Sequence, residues 1–289
     1  MIQHMGHAAF RVRDVARSVD HYTRICGLNV TAVEGDTTYL SSTGFHHEVQ
    51  LIASDHDGLD HLGLLAEDDA AVAEIARRAK EHGSLLDEAA DTFAVSGGIR
   101  VQGPFGHVFE VYSAMERVDP RYDTQGVRPV KYEHANCTVP DPEKQCQWMQ
   151  DVLGFKLSDW LSGWMACWMR CNPEHHGIAF LKNEQAGINH IAFQIMDWPA
   201  ICTLGDHLLA HDQRFVYGPG RHGPGLNLFC YHREPSGVII EYCADMQRIY
   251  HDTDYAAREW PATPESINQW GAPPPDEFLF HSMPLAKRG

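Results

Sequence analysis

The stretch HAAFRVRD (residues 7–14) reads as a strand, after which the apolar positions change to helical spacing at Val15, Val19, Tyr22 and Cys26. Steps of four, three and four put these residues on one helix face. Asp14 is a good N-cap for that helix and Gly27 a good stop. GLNV and two strand-like runs, TTYLSS and HEVQLIA, complete a unit from Gly6 to about Ile52. The same order returns at LDHLGLLAED, with Val72, Ile75 and Ala79 on the helix and Gly83 after it, then strands at IRVQGP and HVFEVYSA. It returns at YEHANCTVPD, with Cys146, Met149 and Leu153 on the helix, Gly154 after it, and strands at FKLSDW, WMACWMRC and HGIAFLK. The last copy starts at INHIAFQIMD and carries Ile201, Leu204 and Leu208 on its helix, followed by FVYGPG, LNLFCYH and GVIIEYCAD.

An α+β fold of four βαβββ modules follows from this repeat. A half-sheet cannot bury its own apolar face, so the modules should pair into two curved-sheet domains, each around a cavity with the helices outside. The expected boundaries are 1–115 for the first domain, 116–130 for a polar linker, 131–245 for the second domain and 246–289 for a tail. That tail is rich in Pro and Trp (EWPATPESINQWGAPPPDEF), and it should pack back on the second domain.

Composition narrows the chemistry. With 289 residues, 44% hydrophobic and 21% charged, the chain has the make-up of a soluble globular protein with a sizeable core. A formal net charge of −16 argues against an extended nucleic-acid footprint. No apolar run reaches membrane-spanning length, and MIQHMGHAAF lacks the order of a secretory signal, so a cytoplasmic location away from membranes is expected. The eight cysteines form no C-x-x-C pair and read as reduced core residues. The nineteen histidines stand out, because imidazole is both a metal ligand and a proton carrier near neutral pH.

In the second half, His134 lies in the first strand of module three, His190 in the first strand of module four and Glu241 in the last strand. Strand alternation puts Asn136 on the face of His134, and the modular fold can aim all three candidates into one cavity. Two imidazoles and a carboxylate leave coordination positions open, a set suited to non-haem Fe(II) that binds a substrate and O₂ together, and Mn(II) suits the same donors.

The segment GRHGPGLNLFCYHREPSGVIIE (220–241) resembles the signature of type I extradiol ring-cleaving dioxygenases, the catechol 2,3-dioxygenase-like members of the vicinal oxygen chelate superfamily. Cys230 departs from it, standing where the signature has a larger residue. The resemblance implies metal ligation by His134, His190 and Glu241, and an acid–base role for His176 in EHHGIAF, with the adjacent His175 as the alternative. It also implies that His222 and Tyr231 sit beside the substrate oxygens, and Asn136 matches the pattern. The implied reaction inserts both atoms of O₂ into a catechol, with meta ring cleavage to a muconic semialdehyde-type product in aromatic-compound breakdown. A homo-oligomer is expected. Glyoxalase-like isomerases, thiol transferases and small-molecule-binding resistance proteins share this superfamily, and the His176, His222 and Tyr231 set is what favours the dioxygenase.

An uncharged, hydrophobic catechol is the expected substrate. Relatives that act on carboxylated catechols place an arginine shortly before GRHG and an arginine pair in the tail. This chain has Tyr217 at the first place and none in SINQWGAPPP. Trp164 and Trp168, read as sharing a strand face, offer an aromatic wall. In the first half His7, His61 and Glu110 occupy the matching module positions, and His47 precedes His61 as His176 precedes His190. The run DTFAVSGGIRVQGPFGHVFE lacks a GRHG turn, however, and Arg100 falls where Tyr231 would. The catalytic metal is therefore expected in the second half alone, with the first as a structural partner.

Overall fold

The structure, a computed structural model, describes residues 1–88, 92–120 and 125–287. Residues 121–124 of the expected linker, Asp91 at the head of the first-half run and the last two tail residues lie outside the described residues.

Helix starts follow the sequence directly. The helices Val15–Arg24, Asp69–Glu81, Pro142–Trp148 and Trp198–Ala210 are each preceded by an aspartate, Asp14, Asp68, Asp141 and Asp197, whose side chain accepts a backbone N–H of the first turn. The third helix changes to a π-helical segment, Met149–Leu153, before Gly154 ends it at φ 73°. That wider turn buries Val152 together with Met149 and Leu153.

Apart from a two-stranded ribbon of Val95–Ser96 with Ala114–Met115 in the first half, the described strands form one sheet in each half. In the first, the order is Asn29–Glu34, Thr37–Ser41, Val49–Ala53, Ile2–Val12, Gly58–Ala66, Val108–Tyr112, Ile99–Gln102, Leu85–Asp87. The second runs Tyr217–Arg221, Leu228–Arg233, Ile239–Ala244, Gly187–Gln194, Lys131–Val139, Ile178–Lys182, Ala166–Arg170, Lys156–Leu161. In each sheet the first strands of two modules pair antiparallel at the centre. Each central strand then pairs parallel with the last strand of its own module.

Alternation separates core from chemistry. Ala135, Cys137 and Val139 join a single apolar core that runs through both halves and takes in Val72, Ile75, Leu204 and Leu208 of the helices. The residues between them, His134, Asn136 and Thr138, lie on the opposite face. A β-bulge precedes the first candidate donor of each half, between Met5 and His7 and between Tyr132 and His134. Bulges of this kind re-aim a side chain at the edge of a site.

The tail packs as strand and strap. Arg258–Trp260 adds to the edge strand Lys156–Leu161, Met283–Pro284 pairs with Gly187–Gln194, and Leu285 bridges to Leu59 of the first half. Two readings of the sequence need correction. Trp164 is not on a strand with Trp168: Gly163 and Trp164 take positive φ (69° and 54°) in a tight turn, which stacks Trp164 on Trp160 and starts the strand at Ala166. The cysteines are all free, but Cys202 is exposed and Cys171 only partly buried. Among the described residues no helix is long and apolar enough to cross a membrane.

Candidate metal centre and active site

Register brings the three candidate donors together. His134 pairs with Ala192 across the central strands and Ala192 with Glu241 on the next, so one row carries both side chains. His190 pairs with Asn136 in a neighbouring row. The Nε2 atoms of His134 and His190 each lie 3.0 Å from Oε2 of Glu241, and all three residues are buried. Metal–ligand bonds of about 2.0–2.2 Å at right angles would space neighbouring donors by about 3 Å, so the set fits a divalent cation.

The surrounding contacts aim those donors. Asn189 gives its amide N–H groups to the carbonyls of Phe278 (3.0 Å) and His281 (2.9 Å), which leaves Oδ1 to accept from Nδ1 of His190 at 2.8 Å. The lone pair of His190 is thereby on Nε2, on the side of Glu241. Asn227 donates to Oε1 of Glu241 at 3.2 Å, leaving Oε2 to the two imidazoles. Burial opposes charge on His134, but Glu241 and Glu133 outweigh it and hold the imidazole up at about 9. Burial likewise opposes charge on Glu241, yet His134 and His190 pull it well below the usual carboxylate range. Burial prevails at His190, which is lowered. Glu241 favours charge on both imidazoles through one carboxylate oxygen, but only at His134, where Glu133 adds to it, does that gain outweigh burial.

The other predicted residues line the same cavity. His176 stands edge-on to His134 with ring centroids 4.5 Å apart. His175 turns away, toward Asp159, so the structure brings His176 and not its neighbour to the donors. His222 donates from Nδ1 to the carbonyl of Ile267 at 2.6 Å, and its Nε2 accepts from the Tyr231 hydroxyl at 2.9 Å. Burial pushes His176 well down and His222 to about 4, so both are neutral near pH 7. Oδ1 of Asn136 is buried without a hydrogen-bond partner and faces this space.

Trp168 lines the cavity as the expected aromatic wall, while several other contributors carried no clear mark in the sequence. Ile267, Phe278 and Leu279 of the tail complete the apolar walls, and no lysine or arginine is among the lining residues. Tyr217 stacks behind Tyr231, with ring centroids 5.8 Å apart, rather than lining the cavity. Asn227 lies inside the GRHG segment, so its place was the readable signal. Asn189 and Asp159 had none. A larger concavity of about 330 Å³ lies between the halves, but Lys131 and Arg248 there both pair with Glu174, and Glu48 is taken up by Ser42 and the Tyr132 backbone N–H.

The first-half set also converges, differently furnished. Nε2 of His7 is 3.1 Å from Nε2 of His61, and Oε2 of Glu110 lies 3.5 and 3.6 Å from these. The Gln50 amide nitrogen sits 3.2 Å from His7 Nε2 and 2.8 Å from His47 Nε2. Arg100 holds Oε1 of Glu110 at 3.1 Å, and Thr92 shares that oxygen. Two more groups with ligand-forming atoms occur among the described residues: Glu133, His134 and Cys243 beside the second-half set, and His21, Cys26 and His232 between the halves.

Residues 4–111 and 131–242 match the sequence model of the Glyoxalase/Bleomycin resistance protein/Dioxygenase superfamily. The chain is 27% identical over 287 residues to a manganese-dependent 2,3-dihydroxybiphenyl 1,2-dioxygenase of Geobacillus genomosp. 3, covering 90% of each chain. It is 24% identical over 303 residues to an iron-dependent extradiol dioxygenase of Rhodococcus jostii (strain RHA1), covering 93% of this chain and 96% of that one. Among solved structures, the Mn(II)-bound glyoxalase from Novosphingobium aromaticivorans superposes with a TM-score of 0.90 at 27% identity, over 98% of this chain and 96% of the other.

Proposed function

We propose that this chain, which belongs to the Glyoxalase/Bleomycin resistance protein/Dioxygenase superfamily, is an extradiol dioxygenase that cleaves an uncharged, hydrophobic catechol with O₂. One observation carries the reading: the open side of the His134, His190 and Glu241 set faces a cavity flanked by His176, His222 and Tyr231. Fe(II), or Mn(II) at the same donors, supplies when bound a Lewis-acidic, redox-capable centre with positions for a catechol and for O₂.

The chain's own residues do the rest. His176 is neutral and beside His134, so it can take the proton released when a catechol hydroxyl ionises and return it as the ring opens. The Tyr231 hydroxyl and His222 form a bonded pair at the cavity wall, placed to orient oxygens whose charge changes. Asn136 offers its free Oδ1 to a hydroxyl. Trp168 and Phe278 give apolar walls for a flat ring and exclude water. A buried substrate carboxylate would find no cation there, a cost on the order of several kcal/mol. The atom balance is simple: one ring carbon–carbon bond beside the diol breaks, and both oxygen atoms enter the open-chain product. Residues 131–245 with the tail 246–289 form the catalytic unit, and residues 1–115 act as its structural partner.

The likeness to a glyoxalase favours isomerisation as the second reading. Dioxygen consumption separates the two. Protein loaded anaerobically with Fe(II) or Mn(II) and given alkyl, aryl and carboxylated catechols should take up O₂ on exposure to air and form a yellow ring-fission product. His176→Phe should keep its metal and lose about 10²- to 10⁴-fold in turnover. Catechol binding without O₂ uptake would sink the dioxygenase, and preference for the carboxylated catechol would sink the substrate class.

A further inference from the structure

His175, which does not reach the donor set, connects His176 to a buried carboxylate. Asp159, on the edge strand Lys156–Leu161, is fully buried and pairs across to Trp168 of the cavity wall. Its oxygens are held by the tail. Trp260 donates its indole N–H to Oδ2 at 2.7 Å, while the Tyr255 hydroxyl and the Arg258 backbone N–H donate to Oδ1 at 2.9 and 3.2 Å. Burial alone would favour the neutral acid, yet the bonds from His175 and Trp260 lead a set of donors that keeps the carboxyl below its ordinary value. Asp159 is therefore ionised near neutral pH and can only accept.

Proton positions follow one from the next. Nε2 of His175 lies 3.2 Å from Oδ2 of Asp159 and must carry a hydrogen. In a neutral imidazole the other nitrogen then holds a lone pair, and Nδ1 of His175 lies 3.1 Å from Nδ1 of His176. That contact is a hydrogen bond only if His176 donates. His176 thus carries its hydrogen on Nδ1, which leaves the lone pair on Nε2, the nitrogen not engaged by His175. We propose that Asp159 and His175 are positioning residues that lock His176 in the tautomer whose Nε2 lone pair faces the cavity, ready to take a catechol proton. The step balances without transfer along the chain. The substrate O–H bond breaks, an Nε2–H bond forms, the Nδ1 hydrogen stays, and the Asp159 carboxylate beyond His175, which the exposed Arg258 guanidinium also approaches at 3.7 Å, partly offsets the new charge.

The first half supplies a contrast. His46 and His47 repeat the Nδ1-to-Nδ1 contact at 2.9 Å, but Ala32 holds the register place opposite Tyr39 that Asp159 holds opposite Trp168. The histidine pair is present there without its anchor.

The proposal rests on His176 as the acid–base residue, but its test does not need turnover. In ¹⁵N-histidine-labelled, metal-free protein without catechol, His176 should show a protonated Nδ1 and a bare Nε2. Asp159→Asn can turn an N–H toward His175, so it should scramble or invert that tautomer. In the metal-loaded enzyme the same variant should lower kcat about 10²- to 10⁴-fold with little change in KM. His175→Asn presents an acceptor oxygen near the former Nδ1 and should restore both readouts, whereas His175→Leu should not. The proposal is overturned if His176 carries its hydrogen on Nε2 in the unaltered protein, or if Asp159→Asn or His175→Leu keeps the original tautomer and kcat. An unaltered protein with the expected tautomer but no O₂ uptake would instead overturn the dioxygenase assignment alone.

Discussion

In the first half His7, Gly63 and Glu110 lie in one row across three strands, as His134, Ala192 and Glu241 do in the second. The donors match in type, register and burial; their neighbours do not. Gln50 inserts an amide between His7 and His47 at the place of Ala179, which leaves the second cavity open. Arg100 pairs across to Glu110 as Tyr231 pairs across to Glu241, putting a fixed cation where the other half has a neutral hydroxyl. A Cβ at Gly63 would lie 2.1 Å from Nδ1 of His7, so that ring rests on the strand in space which the methyl of Ala192 takes in the other half. A duplicated ligand set is thus not a duplicated environment. On the proposed assignment of the metal to the second half, room beside the donors and the charge around them select the copy that accepts a cation and a substrate.

The largest expected effect separates the halves outright. Metal analysis of the purified chain should find about one tightly held divalent cation, because each missing outer partner costs roughly 10- to 100-fold in metal affinity. His134→Ala should lose that cation and all turnover, while His7→Ala should keep both. Two equivalent cations per chain, or loss on His7→Ala alone, would reverse the assignment of the halves.

Exchanging the neighbours should move the boundary by a smaller amount. Ala179→Gln places the amide of Gln50 in the second cavity and should weaken metal or catechol binding about 10- to 100-fold. The reverse exchange, Gln50→Ala with Arg100→Tyr, removes the plug and the cation together and should raise metal content above that of the unaltered chain, read by calorimetric titration. Unchanged binding in both directions would show that ring placement over Gly63, and not the plug, sets the difference.

The same contrast marks what was legible in the chain. The modules could be read because their signals are local: an aspartate before each helix, an apolar stripe along it, and in three cases a glycine after it. His134, His190 and Glu241 were legible as a set because the repeat fixes their register. Trp164 misled because WMACWMRC carries strand-like composition across a turn that depends on two positive φ angles. Cys202 was misplaced although it falls outside the stripe of Ile201, Leu204 and Leu208, so residue type prevailed over spacing where spacing was right. Asp159 and Asn189 were silent for a different reason. The donors and acceptors that fix them against His175 and His190 lie in the tail, about a hundred residues on, and no local pattern encodes a contact at that distance.

The contacts that join the halves should give the smallest effect, and a pH-dependent one. His21, from the helix Val15–Arg24, and His232, from the strand Leu228–Arg233, meet through their Nε2 atoms at 2.9 Å, and both are buried. Burial pushes His21 down from 6.5 to about 4 and His232 well below its ordinary value. His107 makes a similar contact, from Nε2 to the Gly187 carbonyl at 2.8 Å, and burial lowers it to about 4. Each imidazole is neutral when folded and takes up a proton more readily when unfolded, so the unfolded state binds more protons below about 6.5. The contribution of each is complete above that pH and is lost as the pH falls below it; for His21 and His107 the loss ends near the folded value of about 4. For one such group the loss at pH 5 is about 2 kcal/mol. Urea unfolding of the metal-loaded protein should show stability falling between pH 7 and pH 5, and His21→Asn with His232→Gln should flatten that slope while lowering stability at pH 8. A double variant with the slope of the unaltered protein would mean that the pair stays neutral in both states and does not carry the acid sensitivity of the joint.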